Sequence, residues 1–356
     1  MTHRPFAAWP PDDLIHALTD RGVRPGQARS AVRTLAAAFH RDGRPWPDVL
    51  ALAPKTVAPH LAQLCLPDRP LTLAEDHAAA DGTRKLVFCT FDALRIEAVL
   101  IPADSGRRTT LCVSSQAGCG RACPFCETGR TGLQRNLGAD EIVAQLRGAW
   151  ALWQACRGTR PPIGNLVFMG MGEPLDNLAE VLDAIAVVTH DLAWGLSARR
   201  VTVSTVGVVS QLPAFFAGTR AELALSLHAA DDAKRGRLVP ANRRWGVAAL
   251  KQALQEHLPP GRDVFVEVAL FAGVNDGPED ADALLVWLQG LPVRVNLLPA
   301  NPGPDPTLVA PDADTVRRFQ KRLLDAGIRA MVRHPHGRDV GGACGQLAGK
   351  RLGDPA

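Results

Sequence analysis

From residue 110 onward the chain repeats one pattern, a short β-branched or apolar run followed by a longer stretch with apolar residues at helical spacing. The strand-like runs are Thr110 to Ser115, Asn165 to Met169, Arg200 to Thr205, Glu222 to His228, Asp263 to Phe271 and Val293 to Leu298. Amphipathic segments such as 139 to 153, 177 to 190, 245 to 258 and 312 to 326 lie between and after them. Repeated β–α units predict a parallel sheet, because a parallel partner is reached only through a long crossover. The expected fold is therefore α/β, a partial (β/α)6 TIM-like barrel. All strand carboxyl ends of such a barrel open on one mouth, so distant segments meet there.

The first hundred residues read differently. Apolar residues Leu14, Ile15, Leu18 and then Ala28, Val32, Leu35 and Ala36 recur at helical period, with Pro and Gly at the breaks. We expect a small helical domain over residues 1–75, in which Arg21, Arg24, Arg29, Arg33 and Arg41 are candidates for phosphate contact. Residues 84 to 101 form two strand-like runs about a short turn, so 76–108 is read as a β-hairpin and linker carrying Glu97, and 109–350 as the barrel. Hydrophobic content of 46% suffices for a sizeable core. A net charge of +4 permits an RNA partner without requiring one. No apolar leader opens the chain and no run is long enough to span a bilayer, so a cytoplasmic protein with no membrane partner is expected.

Three of the 8 cysteines, Cys119, Cys123 and Cys126, stand in Gly-Cys-Gly-Arg-Ala-Cys-Pro-Phe-Cys. Three thiolates can hold three irons of a four-iron cluster and leave the fourth iron open to a ligand other than protein. A closed zinc site needs a fourth ligand, usually from a second pair, and no such pair is near. Cys65, Cys89 and Cys156 sit in apolar or helical contexts and are read as core thiols.

The other unusual residues lie just past strand ends. Gly170-Met171-Gly172-Glu173-Pro174 follows the second run, Ser204 closes the third, Ser226, Leu227 and His228 close the fourth, and Asn301 lies beyond the sixth. Alone, each has an ordinary structural explanation as turn, helix cap or core residue. Their shared position at strand ends points to one ligand site instead. Glycines let the backbone approach a ligand, and Glu173 can hold an amino-acid moiety. Ser204, Ser226, His228 and Asn301 can grip ribose and adenine. Beside an iron with an open position, that ligand is expected to be S-adenosylmethionine, a source of the 5′-deoxyadenosyl radical on reductive cleavage.

The chain resembles the RlmN/Cfr family of radical S-adenosylmethionine RNA adenine methyltransferases. The matching stretches include Asp81-Gly-Thr-Arg-Lys, Arg95-Ile-Glu-Ala-Val-Leu-Ile-Pro, Thr110-Leu-Cys-Val-Ser-Ser-Gln-Ala-Gly-Cys, Gly170-Met-Gly-Glu-Pro-Leu-Asp-Asn, Leu225-Ser-Leu-His-Ala, Gly273-Val-Asn-Asp and Gly341-Gly-Ala-Cys-Gly-Gln-Leu. They span residues 81 to 350; Cys112 and Cys344, outside the triplet, single out this family within the radical superfamily.

The resemblance implies a radical-SAM barrel, one 4Fe-4S cluster on Cys119, Cys123 and Cys126, and S-adenosylmethionine held by Gly172, Glu173, Ser204, Ser226, Leu227, His228 and Asn301. It implies two S-adenosylmethionine molecules per turnover. Cys344 would become S-methylcysteine, the radical would remove a hydrogen from that methyl, and the resulting carbon would join an adenine ring carbon. Glu97 matches the proton acceptor. Cys112 would release the product by attacking the Cys344 sulfur, leaving a disulfide. The implied partners are rRNA, with tRNA as a further substrate, and a flavodoxin or ferredoxin-type reductant; a monomer is expected. C2 of an adenine in 23S rRNA is the leading target, with C8 methylation, another RNA, or a non-catalytic RNA- or cluster-binding role as alternatives. The sequence departs from the family pattern at Glu127 and at His336-Gly-Arg-Asp-Val. RNA contact is expected at the helical N-terminal domain and the basic C-terminal tail. Tyrosine is absent, so bases would stack on Phe, Trp, His or Arg.

Overall fold

The computed structural model describes residues 3–69, 71–102, 108–157 and 163–348. Its centre is one ten-stranded sheet. In chain order the strands are β1 (Thr72–Ala78), β2 (Arg84–Cys89), β3 (Arg95–Pro102), β4 (Thr109–Cys112), β5 (Ile163–Phe168), β6 (Val201–Thr205), β7 (Glu222–Ser226), β8 (Val264–Leu270), β9 (Val293–Pro299) and β10 (Ala330–Val332). Their spatial order follows the chain without a swap. Strands β1 to β4 pair antiparallel, and β4 to β10 pair parallel. The six expected parallel strands are present, and β10 adds a seventh.

Alternation along each parallel strand divides the sheet into two faces. Val201, Val203, Leu223, Leu225, Val264, Val266, Val295 and Leu297 are at most 1% exposed, and they pack in the principal core. The helices covering that face include Ala139–Arg157, Leu178–Thr189, Val247–His257, Pro278–Leu288 and Ala313–Asp325. The intervening residues face the barrel interior, which is polar for much of its depth. Thr202 and Glu222, Phe265 and Arg294, and Glu267 and Asn296 sit opposite one another across neighbouring strands. Interior packing therefore does not close the barrel, and a cavity of ≈ 1940 Å³ runs through it.

Four α-helices, Pro11–Thr19, Pro25–Ala36, Trp46–Leu50 and Ala58–Leu64, precede the sheet. They bury Leu14, Leu18, Leu35, Phe39 and Leu61 in a separate core. Arg41, a candidate for phosphate contact, instead donates from Nε to the barrel carbonyl of Ala193 at 2.9 Å. Arg24, Arg29 and Arg33 are exposed. Three further expectations need amending. The hairpin is a three-stranded antiparallel extension, because β1 pairs with β2 along its length. The fourth parallel strand ends at Ser226 rather than His228, whose φ of 61° leaves the extended region. Cys156 is exposed on its helix rather than a core thiol, whereas Cys65 is buried and Cys89 half-buried. The basic tail, Lys350 and Arg351, lies outside the described residues. Among the described residues no helix is long and apolar enough to cross a membrane.

Candidate active site

The cysteine triplet occupies a loop at the carboxyl mouth, just after β4. An antiparallel pair, Gln116–Gly118 with Leu133–Asn136, holds the two ends of that loop together. Within it Cys119 N–H donates to Gly132 O at 3.0 Å and Cys126 N–H to Cys123 O at 3.1 Å. Cys119 and Cys123 are buried and Cys126 is half-buried. Burial raises the Cys119 thiol to about 12, and burial together with the neighbouring Cys126 and Cys119 pushes Cys123 up as well. Such thiols ionise when a metal centre displaces their protons. Among the described residues no three His, Cys, Asp or Glu side chains close on a point as they would around a single ion.

The glycine segment after β5 packs directly against this hairpin. Gly172 has φ +100°, and a Cβ there would lie 2.6 Å from Gln116 Cβ. Glu173, next in the chain, donates its N–H to Gln116 Oε1 at 2.8 Å. Its carboxylate is 3% exposed, and it accepts from Leu175 N–H at 3.0 Å and Val206 N–H at 2.9 Å. Burial raises this carboxyl to about 7 despite those bonds. The Thr205 side chain also hydrogen-bonds this carboxyl, and with two oxygens it keeps acceptor capacity for an ammonium group.

Ser204 and Ser226 bring their hydroxyls to 3.3 Å on adjacent strands. Leu227 is fully buried, and its N–H donates to Glu267 O at 3.1 Å. The His228 ring accepts from Ala269 N–H at Nδ1, 3.0 Å, and stands edge-on to Phe125 at 5.1 Å. Burial, then the nearby Arg235 charge, lowers His228 to about 3, so the ring is neutral at pH 7. Asn301 donates to Cys344 O at 3.0 Å and accepts from Arg338 Nε at 2.8 Å. It thus anchors the segment that carries Cys344.

That C-terminal segment lies along the cavity. Glu127 N–H donates to Gly345 O at 2.8 Å, which ties the cysteine loop to Cys344's neighbour. Cys112, Asn301, Arg333 and Cys344 line the same cavity. Cys112 is buried, and burial with the nearby Cys344 pushes its thiol up, whereas Cys344 is exposed. Enclosure by the surrounding cavity wall, with Glu267 and Cys126 nearby, still holds the Cys344 thiol above the ordinary value, against the pull of Arg333. Glu97 stands beside the cavity rather than in its described wall. On β3 it lies two residues from Val99, which pairs across the sheet with Cys112, so Glu97 and Cys112 share a face. Lys85 Nζ lies 3.8 Å from Glu97 Oε2.

Several residues around the site escaped the sequence reading. Gln116 lies inside the family-matching stretch that begins at Thr110, but nothing in that pattern sets it apart from its neighbours. Glu267 does stand apart, because a carboxylate at an interior-facing position interrupts Val264-Phe-Val-Glu-Val-Ala-Leu. It accepts from Asn296 Nδ2 at 2.7 Å. Arg235 is the least expected, since it is fully buried within a run of charged helix residues.

The donor chemistry fits an iron–sulfur cluster and a sulfonium amino-acid cofactor. Three thiols with no carboxylate or imidazole among them sit on one loop, and Gly303 leaves room beside it where a Cβ would lie 2.7 Å from Phe125 O. Fold and site together define a radical S-adenosylmethionine enzyme, using a 4Fe-4S cluster and S-adenosylmethionine. Residues 113–285 match the model of the Radical SAM superfamily. A Sorangium cellulosum protein named "Probable RNA methyltransferase sce1580" is 51% identical over 93% of this chain and 85% of its own length. A "Dual-specificity RNA methyltransferase RlmN" of Marinobacter nauticus is 44% identical over 77% of this chain and 75% of its own. The crystal structure of a radical SAM methyltransferase from Sphaerobacter thermophilus superposes with a TM-score of 0.84 at 35% identity, covering 98% of this chain and 100% of that one. The chain belongs to the RlmN/Cfr family of radical S-adenosylmethionine RNA methyltransferases.

Proposed function

We propose that this protein methylates C2 of an adenine in 23S rRNA, with tRNA as a second substrate, through a methylated Cys344 and two S-adenosylmethionine molecules per turnover. The observation that carries this reading is the pairing of Cys112 and Cys344 in one cavity, with the Cys344 segment tied to the cysteine loop through Glu127 N–H and Gly345 O at 2.8 Å. A cluster-binding scaffold has no need of that second pair. When bound, the cluster supplies the electron, and S-adenosylmethionine the methyl group and the radical, for methylation at carbon.

The chain's own groups account for the rest. Cys344, its S–H proton having passed to solvent, would take the methyl group on its sulfur as the sulfonium S–CH3 bond breaks and the rest of the cofactor leaves as a neutral thioether. Glu97 takes the proton that leaves the methylated ring carbon, and Lys85 at 3.8 Å steadies the carboxylate beforehand. Cys112, as a thiolate, would attack the Cys344 sulfur, breaking its bond to the RNA-linked carbon, which takes up a proton to become the methyl group, and forming a Cys112–Cys344 disulfide. A flavodoxin- or ferredoxin-type donor supplies the electrons. Gly172, Glu173, Ser204, Ser226, Leu227, His228 and Asn301 hold S-adenosylmethionine. The helical unit over residues 1–75 contacts RNA through exposed Arg24, Arg29 and Arg33.

The test is nucleoside mass analysis of rRNA and tRNA from a deletion strain, complemented with wild type or Cys344→Ala. Loss of 2-methyladenosine, restored only by wild type, is expected. Unchanged 2-methyladenosine in both pools would refute the reading, and loss of 8-methyladenosine alone would move the target to C8.

A further inference from the structure

Arg235 lies on the short helix Asp232–Leu238 that follows β7 and is 0% exposed. Burying a guanidinium is costly unless its hydrogen bonds are made and its charge is answered. The hydrogen bonds are made. Nε donates to Leu227 O at 3.0 Å, Nη1 to Asn242 Oδ1 at 2.8 Å and Trp245 O at 3.4 Å, and Nη2 to Val206 O at 2.6 Å and Ser226 O at 3.4 Å. Every one of these acceptors is neutral.

The charge is therefore not answered by an ion pair. Asp232, on the same helix, answers part of the charge from a distance without pairing with it; its Oδ1 accepts instead from Asn242 Nδ2 at 2.9 Å and Val247 N–H at 2.9 Å. On its other side the same helix abuts the cysteine loop, where Leu238, Val239 and Val206 pack with Cys123. Burial brings Arg235 down to about 10, so it remains a cation at neutral pH. A buried positive charge with neutral acceptors thus stands behind a loop of three thiols, which become thiolates when they ligate iron.

We infer that Arg235 is the counter-charge of the cysteine triplet, and that through its bonds to Val206, Ser226 and Leu227 it is also a positioning residue for the cofactor-facing ends of β6 and β7. One side chain then joins two functions. Its charge favours the reduced, more negative state of the cluster, since local net charge and hydrogen bonding set the potential of such centres. Its clamp fixes the strand ends that carry Ser226, Leu227 and His228.

The inference rests on the cluster alone and not on the RNA target, and its readout is a potential. The midpoint of the reconstituted holoenzyme is measured by spectroelectrochemical titration for wild type, Arg235→Gln and Arg235→Lys, with iron content and circular dichroism confirming loaded, folded protein. Removing this buried charge is expected to lower the reduced-to-oxidised ratio at fixed poise about tenfold, the order of magnitude for unit charges about 10 Å apart across an effective dielectric of about 20. For one electron that is a midpoint about 59 mV more negative. Lysine keeps the charge but loses most of the clamp, so its reduced-to-oxidised ratio at fixed poise should stay within about twofold of wild type, while S-adenosylmethionine binding weakens in both variants. An unchanged midpoint in the glutamine variant, or equal displacement in both, would overturn the inference. If the glutamine variant does not load a cluster, the lysine variant decides alone: a wild-type midpoint supports the counter-charge, and a tenfold displacement refutes it. A protein with the expected midpoints that methylates no RNA would sink the proposed function and leave this inference standing.

Discussion

Gly172→Ala tests how the cofactor cradle is built. The residue has φ +100°, and an added Cβ would meet Gln116 Cβ at 2.6 Å, Cγ at 2.8 Å and N at 2.9 Å. Two costs follow. A non-glycine residue held at positive φ costs about 1–2 kcal/mol, and forcing a methyl group against the Gln116 side chain and its backbone nitrogen costs about 1–3 kcal/mol more. The expected total is about 2–5 kcal/mol. Gly132 supplies the control, because it too has positive φ (+68°) but nothing within 4 Å of its Cβ position. Gly132→Ala should therefore cost only the conformational part, about 1–2 kcal/mol. Urea denaturation of the apo-protein gives both values, and isothermal titration of the reconstituted protein gives S-adenosylmethionine affinity. Displacement of Gln116 also strains its bond to Glu173 N–H, so Gly172→Ala should lose cofactor affinity as well as stability. Equal destabilisation by the two alanines would refute the argument that close approach to Gln116 makes glycine necessary.

Further outcomes follow from the same geometry. Glu173 has its carboxyl raised from 4.5 to about 7, so between those values the folded apo-protein holds a proton that the unfolded chain has lost. This group's contribution to stability is present at low pH and declines as pH rises through about 7, by about 3 kcal/mol in all. Glu173→Gln should flatten that part of the profile when urea midpoints are compared across pH 4 to 8. Asn301→Ala removes the bonds to Cys344 O and Arg338 Nε; it should cost about 0.5–1.5 kcal/mol and speed amide hydrogen exchange in the Cys344 segment. Cys112→Ala should keep the cluster and the methylation of Cys344 but trap a covalent protein–RNA adduct, seen as a ribonuclease-sensitive shift on a denaturing gel.

Strands that bury one strongly apolar face were legible in the sequence, as at Val201-Thr-Val-Ser-Thr and Val264-Phe-Val-Glu-Val-Ala-Leu. Edge strands were not. β1 reads Thr-Leu-Ala-Glu-Asp-His-Ala and has no fully buried residue, and β10 has three residues with Met331 55% exposed. Such strands are held by backbone pairing, which leaves little trace in side-chain pattern. The cysteine loop and the glycine segment stood out because their chemistry depends on residue type. Arg235 did not, since Asp-Asp-Ala-Lys-Arg-Gly-Arg reads as a solvated helix; only the carbonyls gathered from Val206, Ser226 and Leu227 reveal its burial. Cys156 shows the opposite error, an apolar-looking position that the helix turns outward.

The central claim is that Cys344 carries the methyl group to RNA. Peptide mass spectrometry of reconstituted protein incubated with S-adenosylmethionine, before and after addition of RNA and reductant, tests it most directly. The account predicts a Cys344 peptide one methyl group heavier, with 2-methyladenosine appearing in RNA only once reductant is added. An unmodified Cys344 peptide in protein that nevertheless produces 2-methyladenosine would contradict it.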